Sequence, residues 1–155
     1  MRAFGHYFFS IIILSIYGGE VCPFIASLDI VRWLVLLIVV CGAGFFLRPG
    51  LITIFVTRLP FEIQVKRQFI LELTIFVMMA LVISIFNMII YNFPIASGLK
   101  VLLGFLTLGF FASVDLALEK ERDISREVSS TGHDLSINQK IFPLTKKFTM
   151  VASFS

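Results

Sequence analysis

Charged residues are absent from three long stretches of this sequence. No Asp, Glu, Lys or Arg occurs in residues 3–19, 33–47 or 73–99. A soluble helix alternates apolar and polar faces with a period of 3.6 residues, whereas these stretches are apolar nearly throughout. A spanning helix needs ~20 mostly apolar residues to cross about 30 Å of hydrocarbon at 1.5 Å per residue. The pattern therefore predicts an all-α integral membrane protein.

Four membrane-spanning helices are predicted, arranged as two hairpins in one helical bundle. They cover residues 3–19, 30–47, 69–91 and 99–118. The connector at 92–98, NFPIASG, is short and uncharged, and its Pro and Gly suit a tight turn between the last two helices.

The first predicted span has an alternative interpretation as a cleaved signal peptide. Its amino-terminal flank carries only Arg2, and no clear small-x-small cleavage site follows the apolar run. Val21 before Cys22 also fits a lipoprotein cleavage site poorly. A retained helix is therefore favoured.

The segment after the second predicted span contains strong helix breakers. Arg48, Pro49 and Gly50 are expected to end the second helix, because proline and glycine are unfavourable inside helices. The following residues, 51–68, have an apolar piece too short to cross and then several basic residues. They are expected to lie at the membrane interface. The alternative is a second helix that continues past Arg48.

The region after residue 118 is the most highly charged part of the chain. Residues 119–147 hold six Lys or Arg and five Asp or Glu, and are predicted to form a cytoplasmic helical stub followed by a loop. Ile124 and Val128 form one narrow apolar stripe on the stub. The final residues, 148–155, are apolar again after two lysines, and we expect them to begin a fifth span. The alternative is a short apolar end resting on the membrane.

Composition agrees with a membrane protein and excludes an ordinary cytosolic enzyme. Hydrophobic residues make up 58% of the chain, charged residues 15%, and the mean hydropathy is +0.98. Soluble domains have roughly 45–50% apolar and about 25% charged residues. The formal charge of +3 does not indicate nucleic-acid binding, because the basic residues punctuate apolar spans instead of gathering on one face.

The basic residues instead predict the orientation. With a cytoplasmic amino terminus, 11 of the 13 Lys and Arg lie on the cytoplasmic side, and only Arg32 and Lys100 lie outside. The positive-inside bias therefore predicts a multi-pass protein of the cytoplasmic (inner) membrane with its amino terminus and its 119–147 segment in the cytoplasm.

Three polar residues inside the predicted spans are candidate functional residues, because polar groups are costly in hydrocarbon. They are Glu72, Asn87 and Asp115. Asn87 is a candidate for a hydrogen bond between helices. Glu72 is expected to pair with Lys66 or Arg67. For Asp115 we expect satisfaction at the interface by headgroups, water or Arg122, with a proton-relay role as the alternative.

Small residues predict close helix packing, and no residues predict catalysis. The candidate packing positions are Gly42, Gly44, Gly109 and Ser113. Cys22 and Cys41 are expected to be unpaired, since a bond between them would have to cross most of a bilayer. Neither histidine has a partner at metal-ligand spacing, and no nucleotide-binding or nucleophile motif occurs, so no metal or cofactor is expected.

Three runs resemble the amino-terminal membrane region of bacterial multi-pass signalling receptors. They are RLPFEIQVKRQFILELTIFV, YNFPIASGLKVLLGFLTLGFFASVDLALEKER and PLTKKFTMVASFS, and the resemblance covers about residues 45–155. In such receptors this region precedes a HAMP-type relay and a cyclase, histidine kinase or phosphatase domain. The resemblance implies a sensory or anchoring role, with further spans and an output domain expected after Ser155. None of those parts is present, so no catalytic residue carries over.

The functional hypothesis is thus the input or anchoring region of a signalling receptor with no chemistry of its own. Its expected partners are the lipid bilayer and a downstream signalling domain or further copies of itself, and not nucleic acid. The alternative is a small transporter or channel subunit with Glu72, Asn87 and Asp115 as an internal polar path. A membrane-embedded enzyme is disfavoured because its clustered His, Asp or Glu are missing.

Overall fold

The computed structural model describes residues 2–130, and these residues form helices joined by short connections. The long helices are α1 (Arg2–Val21), α3 (Ile30–Ile52), α4 (Phe61–Ile90) and α5 (Ile95–Ser130). A four-residue helix, α2 (Pro23–Ala26), lies between α1 and α3, and a π-helical turn (Thr53–Thr57) continues α3. No strand occurs in this part of the chain. The predicted all-α fold is confirmed.

The four long helices form a ring in which each packs against two neighbours. α1 contacts α3 and α5, and α4 contacts the same two helices from the other side. Each helix buries one stripe with the three- or four-residue spacing of a helix face. On α1 the stripe is Tyr7, Ser10, Leu14 and Gly18, and on α3 it is Trp33, Leu37, Cys41 and Gly44.

The outward faces of the bundle are apolar as well. Large side chains such as Phe9, Phe46 and Phe111 are 64%, 82% and 66% exposed. All four long helices have the length and hydropathy needed to cross a bilayer. The second of these candidate spans comprises α3 and its π-helical turn. An apolar surface of this extent is satisfied by lipid rather than by water.

The second helix does not end at Arg48, so the predicted stop at Arg48–Gly50 is wrong. α3 runs through Pro49 to Ile52, and the π-helical turn extends it to Thr57. The Thr53 hydroxyl donates to the Pro49 carbonyl at 2.9 Å. Threonine side chains and neighbouring helices satisfy backbone groups around a membrane proline in this way, so that the helix continues. Val56, fully buried, also holds the extension in the bundle.

The predicted interfacial segment 51–68 is correspondingly helical. Its first part completes α3 and its turn, and residues 61–68 are the first two turns of α4. Pro60 precedes α4 and cannot continue the previous helix, so the chain reverses at residues 58–60. The predicted tail loop, His133 and the predicted fifth span lie outside the described residues.

α4 and α5 form an antiparallel hairpin with a short turn. α4 ends at Ile90 and is capped by Tyr91, and Asn92 then adopts a positive φ of 53°, which asparagine tolerates better than most residues. The amides of Tyr91 and Phe93 both donate to the Asn87 carbonyl, which closes the helix end. α5 begins at Ile95 and runs without interruption for 36 residues.

Candidate functional site

The basic residues gather at one end of the bundle. The amino ends of α1 and α4 meet the carboxyl ends of α3 and α5 there, and we call this the charged end. Eight of the ten Lys and Arg among residues 2–130 lie at it, namely Arg2, Arg48, Arg58, Lys66, Arg67, Lys120, Arg122 and Arg126. Arg32 and Lys100 lie at the opposite end, where Lys100 Nζ donates to the Val21 carbonyl at 3.1 Å.

Glu72 of α4 is completely buried near the charged end. Its Oε1 atom accepts a hydrogen bond from Arg48 Nε of α3 at 2.6 Å and another from Gln68 Nε2 at 2.6 Å. The Arg48 side chain is only 18% exposed. A buried carboxylate requires a paired charge and further hydrogen bonds, and this arrangement supplies both. Arg48 therefore joins α3 to α4 below the surface of the bundle.

The predicted partners of Glu72 are wrong. Lys66 and Arg67 precede it by six and five residues on the same helix, and both are exposed. Only residues three or four apart face each other along a helix. Gln68 fulfils that spacing, and the positive charge comes from a different helix.

Two buried polar atoms beside this pair have no partner among the described residues. They are Glu72 Oε2 and the Tyr7 hydroxyl. Tyr7 of α1 is 3% exposed and packs its ring 5.2 Å from that of Phe76, which lies one helical turn after Glu72 on α4. α1, α3 and α4 thus all contribute polar groups to one buried cluster, which comprises Tyr7, Arg48, Gln68 and Glu72.

A second set of contacts joins α1 to α5 at the charged end. His6 Nε2 lies 2.8 Å from Asp115 Oδ2, and Arg2 Nε lies 3.9 Å from Glu119 Oε1. The two residues on each helix are four apart and therefore share a face. The expected partner of Asp115, Arg122, is wrong, because it lies seven residues along the same helix and is exposed. His6, 109 residues away in the chain, takes its place.

Asn87 is not part of this cluster. It lies 15 residues from Glu72 along α4, or about 22 Å at 1.5 Å per residue. Its side chain is 2% exposed, and neither amide atom has a hydrogen-bond partner among residues 2–130. Among these residues, Asn87 makes no hydrogen bond between helices. In the transporter hypothesis, Asn87 is therefore well separated from Glu72 along α4.

The four candidate packing positions differ in how closely other side chains approach them. A Cβ atom on Gly109 would lie 2.5 Å from the Phe76 Cβ, and one on Gly44 would lie 2.6 Å from Met79 Sδ. These two glycines therefore lie at close helix contacts. Gly42 has no heavy atom within 4 Å of that position, so its predicted packing role is wrong. Ser113 is fully buried, and its hydroxyl has no partner in the described part of the chain.

α5 continues beyond the apolar span as a packed helix. Its Ala117, Ile124 and Val128 form a small core with Val65 of α4, and Phe69 packs against it. We call residues 61–68 and 117–130 the extension pair. The apolar stripe at residues 124 and 128 is 1% and 6% exposed, so the stub is not solvated on all sides.

Sequence reasoning missed the residues that complete the cluster. Gln68 had a usable signal, since it precedes Glu72 by one helical turn. Arg48 precedes Pro49 and Gly50 in a run that predicts a helix stop, and His6 and Tyr7 carry no local signal for partners on distant helices.

One protein family matches nearly all of the residues that form this bundle. A family model named MASE10 matches residues 6–155. The chain belongs to the MASE10 family. MASE domains are membrane-associated sensory domains of signalling receptors, and this one is a multi-pass membrane protein. Neither the curated proteins nor the solved structures contain a significant match.

In this MASE10 domain, the described residues offer polar contacts and no metal centre. Among residues 2–130, no three His, Cys, Asp or Glu lie close enough together to hold a metal ion. Cys22 and Cys41 are free, as expected, and Cys22 Sγ lies 2.9 Å from Ser97 Oγ. The charged end therefore holds helices together through hydrogen bonds and ion pairs.

The His6–Asp115 contact is expected to contribute little to stability. The two side chains are 30% and 45% exposed, so water competes for both. His6→Gln and Asp115→Asn should each lower the free energy of unfolding by less than about 1 kcal/mol, as for other exposed ion pairs. A double-mutant cycle, measured by reversible SDS unfolding in mixed micelles, gives the coupling. A loss above 3 kcal/mol for either variant would show that the contact is desolvated in the bilayer.

Proposed function

We propose that this chain is the membrane-embedded input region of a bacterial signal-transduction receptor. It acts without chemistry of its own, and its charged end lies in the cytoplasm of a cell whose inner membrane it spans. Its partners are the bilayer, a downstream signalling domain and further copies of the chain. MASE10 membership supports the sensory role, and the gathering of basic residues at one end supports the orientation.

The observation that carries the proposal is the continuity of α5. This helix has 36 residues and a length of about 54 Å, well beyond the ~30 Å of hydrocarbon. Its first part packs in the bundle, and its last turns pack against α4 in the extension pair. A helix without a break transmits rotation or translation along its axis.

The polar contacts explain how the other helices act on α5. α1 touches it through His6 and Arg2. α3 acts through Arg48 and Glu72 on α4, which packs along α5 over most of its length. A stimulus that shifts any of these helices therefore changes the position of the charged end of α5.

A reporter fusion tests this proposal. An adenylate cyclase reporter is fused after Ser130, the last residue of α5, and one to seven alanines are inserted after Asp123. Each residue rotates the downstream helix by about 100°. We expect cyclase output to vary periodically, with large changes for two insertions and recovery near four and seven.

The matched control places the same insertions after Ser27, in the connection between α2 and α3. That series is expected to show no helical periodicity, because Ser27 is not on the path from the bundle to the reporter. Equal output for all insertions after Asp123 would refute transmission through α5 and leave only an anchoring role.

A further inference from the structure

A deep apolar groove runs along the outer face of the bundle between α3 and α4. Its volume is about 760 Å³. The walls come from residues 39–55, in α3 and its π-helical turn, and from residues 67–82 of α4. Several wall residues are open to the outside, among them Val39, Leu47 and Met78, which are 61%, 64% and 55% exposed. In a bilayer, the groove therefore opens sideways into the lipid.

The groove has one charged residue, Arg67, at its charged end. Arg67 is exposed and makes no hydrogen bond or ion pair with residues 2–130. The groove's other hydrogen-bonding side chain, Thr74, donates its hydroxyl to the Ile70 carbonyl at 2.7 Å. The groove thus offers a long apolar trough, and at one end of it lies a cation that has no partner among residues 2–130.

The dimensions match one lipid chain better than a compact ligand. Arg67 and Val82 are 15 residues apart on α4, which corresponds to about 22 Å. Half of the hydrocarbon core is about 15 Å thick. An acyl chain whose headgroup lies at Arg67 therefore stays in the groove across the full depth of its own leaflet.

We propose that this groove binds an anionic phospholipid of the leaflet at the charged end. An acyl chain fills the trough, and the phosphate pairs with Arg67. A guanidinium binds phosphate through two parallel hydrogen bonds, and basic pockets between helices attract anionic headgroups. A second copy of the chain would cover the apolar walls, but the apolar faces of its helices bring no anion to Arg67.

The bound lipid adjoins the buried cluster. Arg67 precedes Gln68 directly, and the next residues of α4 that line the groove, Ile70 and Leu71, come immediately before Glu72 in sequence. The lipid also touches both α3 and α4, the two helices that Arg48 and Glu72 join. Its presence therefore stabilises the α3–α4 contact, and its headgroup charge adds to the electrostatics of the cluster.

Spin-labelled lipids test the proposal. The full chain is reconstituted in phosphatidylcholine vesicles with trace spin-labelled phosphatidylglycerol, phosphatidylcholine or stearic acid, and the motionally restricted fraction is measured. We expect phosphatidylglycerol to be favoured about fivefold over phosphatidylcholine, since a juxtamembrane Arg contributes ~1 kcal/mol. Arg67→Gln should abolish this preference. Arg58→Gln, at the same end but outside the groove, should retain it.

Several results would overturn the proposal. Equal association of the two phospholipids with the wild-type chain would do so. Equal losses in Arg67→Gln and Arg58→Gln would indicate only a diffuse surface charge. A preference for stearate without one for phosphatidylglycerol would assign the groove to free carboxylates. A photo-crosslinker at Met78 should yield a phospholipid adduct, and a chain-to-chain adduct would assign the groove to a second copy.

Discussion

Replacing Arg48 by alanine is expected to lower the free energy of unfolding by about 3–5 kcal/mol. The change leaves Glu72 fully buried without its positive partner, and Gln68 alone donates to it. Stability is measured by reversible SDS unfolding in mixed micelles. Among the ion pairs of residues 2–130, this one has the least exposed side chains, so it should show the largest effect of removing one charge.

Two variants serve as controls for this result. Arg2→Ala removes a surface pair at 3.9 Å, with side chains 53% and 35% exposed, and should cost less than about 1 kcal/mol. The double variant Arg48→Met with Glu72→Leu replaces both charges by apolar groups, and should recover most of the lost stability. A loss below 1 kcal/mol for Arg48→Ala would contradict a desolvated pair.

Gly109→Ala is expected to destabilise the α4–α5 hairpin by about 1–3 kcal/mol. The new methyl group would meet Phe76 Cβ at 2.5 Å, a distance that requires the helices to separate. Gly42→Ala is the matched control. Its methyl group enters open space, so the helix should gain about 0.5–1 kcal/mol from the better helix former.

A second substitution identifies the cause of the Gly109 effect. Phe76→Ala is destabilising alone, because its fully buried ring is lost, but it keeps the Cβ atom and removes the ring atoms at 2.8 and 3.3 Å. We expect Gly109→Ala to cost less in that background. Equal costs in both backgrounds would mean that the Phe76 ring does not limit the approach of α5 to α4 and that the Cβ contact alone does.

The helices of this fold were predictable because the bilayer imposes a local rule. Each span must be long and apolar within one continuous segment, and residues 73–90 satisfy that rule without any knowledge of their neighbours. The positions of the Lys and Arg residues likewise follow from local counting. The continuation of α3 past Pro49 was not predictable in the same way, since it depends on the Thr53 side chain and on burial of Val56.

The polar contacts depend on which helices become neighbours. Glu72 stood out as a charge in a span, but its partner Arg48 is 24 residues away on α3. His6 is 109 residues from Asp115, and a single sequence contains no signal that joins them. Gly42 and Gly44 look alike in sequence, and only the direction each faces in the bundle separates them. Which polar side chains pair depends on the tertiary structure, whereas the positions of the spans depend on the local sequence.

Cysteine accessibility on both sides of the membrane tests the central claim most directly, because α5 serves a cytoplasmic output only if the charged end is cytoplasmic. In a Cys22→Ser, Cys41→Ala background, single cysteines replace the exposed residues Ser27, Pro94, Thr57 and Ser129. An impermeant maleimide applied to intact spheroplasts should label positions 27 and 94, and should reach 57 and 129 only after permeabilisation. Labelling of positions 57 and 129 in intact spheroplasts, with 27 and 94 protected, would contradict the account.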